Sequence, residues 1–98
     1  MPLYVLLGHD AANSTEQRAA TRPEHVERLK KLDAQGRLKI AGPCPIVPGE
    51  PAMSGSVIIA EFASLEEAQT WAQADPYLRD GVYTHTDVKP FIQALPAL

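Results

Sequence analysis

The chain opens with apolar residues on both parities. Leu3, Val5 and Leu7 alternate with Tyr4 and Leu6, so Leu3 to His9 reads as a strand with two apolar faces, closed by polar Asp10 and Asn13. The period then becomes helical. Ser14 with Gln17 three residues on has the pattern of a capping box. Pro23 interrupts that stretch, so the spacing predicts a short helix to about Ala20 and a second from Arg22 or Pro23 to Gln35, stopped by Gly36. Arg37 to Gly42 reads as a second strand. The four prolines between Pro43 and Pro51 predict a loop. Ser56 to Phe62 reads as a third strand. Ser64 and Glu67 form another capping box, opening a helix to about Ala74. Asp75-Pro76 starts a short helical turn with Asp as N-cap, and Val82 to Lys89 reads as a fourth strand ended by Pro90.

The resulting order, βαββαβ, is the ferredoxin-like arrangement: an α+β domain over residues 1–98 with a four-stranded antiparallel sheet. In the third strand Ile58, Ala60 and Phe62 oppose Val57 and Ile59, so it too is apolar on both sides. A sheet with one wet face should alternate apolar and polar, and two helices cover only one face. A second copy of the chain is the simplest cover for the other. A monomer with the Pro-rich loop folded across is the alternative.

Ninety-eight residues allow one domain with a thin core. A composition 45% hydrophobic and 21% charged is ordinary for a globular chain. Nine Lys plus Arg against twelve Asp plus Glu give a net charge of −3, and Arg28, Lys30, Lys31 and Arg37 are offset by Glu24, Glu27 and Asp33. No basic stripe suits nucleic acid. The apolar start is too short for a signal peptide, and nothing approaches a membrane span, so the expected location is the cytoplasm. Single Cys44 has no intramolecular partner and no neighbour in sequence to activate it.

His25 is the most informative position for chemistry. On a helix it falls about 40° from Leu29 and about 20° from Leu32, inside the apolar stripe, with Arg22 about 60° away on the same side. An inward imidazole and guanidinium are costly unless paired. His25 is therefore either a core histidine bonded to a backbone carbonyl or a functional group. Asp75 is sufficiently explained as an N-cap, but a carboxylate near His25 would also fix its tautomer, and the two roles are compatible. His85 and Asp87 share one strand face at a spacing that can ligate a metal. No third ligand is evident, so no metal is expected. His9-Asp10 reads as a solvated loop entry. Trp71 reads as core packing, as do Tyr4, Tyr77 and Tyr83, although these tyrosines could line a pocket. Phosphate-binding glycine loops and nucleophile signatures are absent, so no cofactor is expected.

Several segments together resemble the YciI family: Leu3-Tyr4-Val5, Arg22-Pro23-Glu24-His25, Gly36-Arg37-Leu38, Ala41-Gly42-Pro43, Ile59-Ala60-Glu61-Phe62, Ala74-Asp75-Pro76-Tyr77, Gly81-Val82-Tyr83 and Val88-Lys89-Pro90-Phe91. The resemblance implies a ferredoxin-like fold assembled as a dimeric α/β barrel. It also implies that the histidine of Arg-x-x-His and the aspartate of Asp-Pro-aromatic face one cleft, here His25 and Asp75. Most of that family has no assigned reaction. Some members resemble enzymes that eliminate HCl from chloroaromatics, and the wider group includes lactone isomerases and monooxygenases. The short Pro43–Pro51 loop falls where members vary, so substrate identity is not implied.

The reading adopted is a cofactor-independent small-molecule enzyme performing elimination or isomerisation. His25 acts as acid or base, Asp75 orients it, and Arg22 with Tyr4 or Ser56 holds an anionic oxygen of the substrate. The alternative is a non-catalytic module binding a small anion or metabolite. A third possibility is an interaction protein whose polar residues satisfy a dimer core.

Overall fold

The structure, a computed structural model, describes residues 1–97. In chain order it contains β1 (Leu3–Asp10), α1 (Thr15–Ala34), β2 (Leu38–Pro45), β3 (Met53–Glu61), α2 (Leu65–Gln73), α3 (Pro76–Arg79) and β4 (Tyr83–Phe91). The strands form one antiparallel sheet in the order β2-β3-β1-β4. This is the ferredoxin-like architecture expected from the element order.

The helices lie on one face of the sheet. There Tyr4 and Leu6 of β1 and Ile58 and Ala60 of β3 meet Leu32 of α1 and Ala68 and Ala72 of α2, with Phe62 completing the cluster. Alternation sends Leu3, Val5, Leu7 and His9 of β1 and Val57, Ile59 and Glu61 of β3 to the opposite face. Among the described residues no helix covers that side, where Ile40 of β2 is 64% exposed.

Three local expectations are corrected. First, α1 is one continuous helix with Pro23 inside it. Pro23 and Ala19, whose carbonyl loses its partner, are both exposed, so water can satisfy the carbonyl. Tertiary bonds hold the helix on either side of the proline. Arg18 binds Asp10 of β1, Thr21 Oγ1 donates to Asp80 Oδ2 at 2.9 Å, and His25 reaches Asp75. Second, Ser14 does not cap α1 with its side chain, because its hydroxyl donates to Asp10 Oδ2 at 2.7 Å. The box at Ser64 does form: Ser64 Oγ accepts from Glu67 N–H, and Glu67 reaches back to Ala63 N–H. Third, β2 runs through Pro43 and Pro45, and β4 through Pro90. Both are outer strands with one unpaired side, which is where a residue lacking an N–H is tolerated. The loop therefore begins after Pro45.

Gly36 ends α1 with φ of 71°, and the Arg37 N–H then bonds back to Leu32 O at 3.0 Å. Gly8 is required by a close approach. The Tyr83 ring packs directly over it, leaving no space for a Cβ.

Candidate active site

The continuity of α1 decides the site. Arg18, Arg22 and His25 are spaced i, i+4 and i+7, which places them along one face of an unbroken helix. That face, together with β2 and β3, bounds a cleft of about 290 Å³. Leu38, Ala41 and Ile58 form its apolar floor. Val26 and Leu29 form a wall, and Arg18, Arg22, Lys30 and Ser56 supply polar groups.

His25 is held on three sides. Asp75 comes from the turn between α2 and α3, and its side chain is only 3% exposed. The His25 Nδ1–H donates to Asp75 Oδ1 at 3.0 Å and Oδ2 at 3.1 Å. Asp75 Oδ1 also accepts from Tyr77 N–H at 2.9 Å, so the cap and the histidine contact coexist on one carboxylate. A carboxylate can only accept, so Nδ1 carries a proton, and in the neutral ring Nε2 is the nitrogen with the lone pair. Nε2 has no protein partner among the described residues, nor is it one of the enclosed, unsatisfied atoms. It is the ring atom left to the cleft. The Tyr77 ring stacks on the imidazole with centroids 3.9 Å apart and planes 11° apart, and Tyr83 meets it edge-on at 6.4 Å.

Arg18 was not singled out in the sequence, although its heptad offset from His25 was the available signal. Its guanidinium binds the Asp10 carboxylate at 3.0 and 2.8 Å, donates to Ser56 Oγ at 2.8 Å and lies 4.8 Å from the Tyr77 ring centroid. Burial opposes its charge, but the bonded Asp10 carboxylate more than compensates, and the Arg18 pKa is raised. Asp10 is thus a buried anchor, its side chain 1% exposed, and not the solvated loop residue expected. Arg18 also lines the cleft.

Burial raises the pKa of the Tyr77 phenol, with Arg18 and Arg22 pulling it back. Burial raises that of Tyr83 further. The Tyr83 hydroxyl has no partner with hydrogen-bond geometry among the described residues. Beside Trp71, burial lowers the pKa of Arg28, against the pull of the Asp75 carboxylate. Arg28 stacks over Trp71 at 4.0 Å.

The fold therefore brings together four of the five expected site residues: His25, Asp75, Arg22 and Ser56. It does not bring Tyr4. That side chain lies in the core edge-on to Phe62, outside the cleft lining, because β1 alternation turns it under α2. Arg22, Lys30 and Asp33 all line the cleft without an ion-pair partner among the described residues, so unpaired cations outnumber the one unpaired carboxylate there.

Comparisons with known proteins agree with this architecture. The family model for the YCII-related domain matches residues 2–92. Protein YciI of Escherichia coli O6:H1 is 53% identical over 93 residues, covering 91% of this chain and 95% of that protein. An uncharacterized protein of Haemophilus influenzae is 45% identical over 92 residues, covering 90% and 94%. Among solved structures, 5-chloro-2-hydroxyhydroquinone dehydrochlorinase from Burkholderia phenoliruptrix AC1100, in complex with 2,5-dihydroxybenzoquinone, superposes with a TM-score of 0.81. It covers 93% of this chain and 94% of its own at 23% identity, a likeness of fold. On the family match and the close relatives, this chain belongs to the YCII-related domain family.

Proposed function

We propose that this protein is a cofactor-independent enzyme acting on a small anionic molecule, with His25 as general acid or base and Asp75 as its orienting partner. The observation that carries this reading is the free Nε2 of a histidine fixed through Nδ1 and turned to an apolar-floored cleft with unpaired cations. Nε2 takes a proton from a carbon next to a carbonyl or ring oxygen. The electron pair moves to that oxygen, where Arg22 and Arg18 meet the developing charge. Asp75 stabilises the imidazolium that results. Collapse of the anion expels a leaving group in an elimination, or recovers the proton at another carbon in an isomerisation. The fold neighbour's name and its bound dihydroxybenzoquinone support a small oxygenated ring as the class of substrate.

The uncovered sheet face supports self-association. Leu3, Val5 and Leu7, with Val57, Ile59 and Ile40, form an apolar surface that a second copy would bury. Sedimentation at micromolar concentration should give a dimer, and a stable monomer would refute this part.

The unpaired Arg22 and Lys30 also favour one other reading, a module that captures an anion and leaves it unchanged. Screening hydroxyquinones and small lactones, with product analysis, separates the two. Turnover that His25→Ala reduces by about a hundred- to ten-thousand-fold supports the enzyme. Saturable calorimetric binding with ligand recovered intact supports the module, and full turnover in His25→Ala removes His25 from the chemistry.

A further inference from the structure

The open sheet face carries a second cluster of chemistry-bearing side chains, remote in sequence and unrelated to the cleft. His9 of β1 and His85 of β4 are direct cross-strand partners, and Asp87 lies two residues on from His85 on the same face. The two imidazoles stack with centroids 4.3 Å apart, and His9 Nε2 lies 2.8 Å from Asp87 Oδ2. One ring nitrogen of each histidine and one carboxylate oxygen of Asp87 all fall within 4.8 Å of one another. His9 is the third ligand that the spacing of His85 and Asp87 lacks. It is supplied by antiparallel pairing of strands about 75 residues apart in the chain, a separation no local motif reveals.

We infer that His9, His85 and Asp87 form a binding site for a borderline divalent transition-metal ion of the zinc class. Two imidazoles and one carboxylate are the donor set that such ions take, in preference to the all-oxygen sets of magnesium or calcium. Bonds of about 2.0–2.1 Å around a tetrahedral ion place donors about 3.3 Å apart, so the present atoms need to move by about 1.5 Å at most. Side chains 41% and 50% exposed, as those of His9 and Asp87 are, can tilt that far while their strands stay fixed.

The surroundings prepare one histidine for the role. The Thr84 hydroxyl donates its single proton to His9 O at 3.3 Å and therefore accepts from His85 Nδ1–H at 2.8 Å. In the neutral ring that leaves the lone pair on His85 Nε2, the arrangement by which a second-layer hydrogen bond sets a metal-binding tautomer. The bound ion would tie β1 to β4 beside the irregularity at His9/Asp10, the same place where Asp10 turns inward to hold Arg18.

The test uses the full-length, tag-free chain titrated with Co2+, followed by visible absorption, with Zn2+ as competitor. One saturable Co2+ per chain is expected, with nitrogen–oxygen d–d bands that Zn2+ abolishes. Loss of second-layer partners costs metal sites roughly 10–100-fold, so losing a ligand should weaken binding by at least about tenfold. His85→Ala and the near-isosteric Asp87→Asn should each show that loss, while Cys44→Ser and His25→Ala keep wild-type binding. The inference is overturned if no Co2+ spectrum develops, if both ligand variants bind as wild type, or if His25→Ala or Cys44→Ser abolishes the signal.

Discussion

The pairing of His25 with Asp75 can be measured without knowing any substrate, through a double-mutant cycle on stability. Asp75→Ala removes the cap on the Tyr77 N–H, worth about 1 kcal/mol. It also leaves His25 Nδ1–H, on a residue only 6% exposed, without its acceptor, costing about 1–3 kcal/mol more. The single substitution should therefore cost about 2–4 kcal/mol, a large part of the roughly 5–15 kcal/mol that holds a domain folded. In a His25→Ala background the histidine donor is gone, and the same change should cost only the cap, about 1 kcal/mol. The coupling energy is the difference, about 1–3 kcal/mol, as for a donor left without its acceptor. Urea denaturation of the four proteins, with unchanged m-values, gives the number. A coupling below about 0.5 kcal/mol would mean that Asp75 caps α3 and nothing more, and the orienting role would have to be given up.

Three further outcomes follow from particular contacts. Gly8→Ala forces a methyl group into the Tyr83 ring and should destabilise by about 1–3 kcal/mol, with altered near-ultraviolet dichroism as the tyrosine moves; an unperturbed spectrum would contradict the packing. Pro23→Ala restores a helical N–H to the Ala19 carbonyl and should stabilise by about 1–2 kcal/mol net of the looser unfolded chain, so any loss of stability in denaturant would refute this account of α1. Burial raises the Tyr83 pKa in the folded state above its unfolded value, so the unfolded chain releases that proton first. Its contribution to stability is complete below about pH 10 and is lost as pH rises beyond it. Phenolate absorbance should show Tyr83 ionising only with alkaline unfolding, and Tyr83→Phe, which removes a hydroxyl without a partner, should be neutral or stabilising.

The order of elements was legible because each strand and helix carries its own period and its own stops, as at Ser64, Asp75 and Gly36. The prolines mislead for one reason. Whether Pro23, Pro43 or Pro90 breaks an element depends on whether the missing N–H faces solvent or an unpaired side, which only the tertiary arrangement determines. His25 stood out because an imidazole in an apolar stripe is anomalous by itself. Arg18 and Asp10 did not, since each looks solvated until β1 and α1 are laid together and the two bury one another. Tyr4 was misplaced because alternation tells which residues share a face but not which face a helix will cover. His9 became partner to His85 only through strand register.

The prolines of the two outermost strands have a consequence for how the molecule meets others. Pro43 and Pro45 on β2, and Pro90 on β4, withhold hydrogen-bond donors along both lateral margins. An incoming extended peptide, or an unfolded neighbour, thus finds no uninterrupted ladder to zip onto at either rim. Sideways growth toward fibrils is discouraged at both rims, which leaves the broad flat surface as the place open to contact.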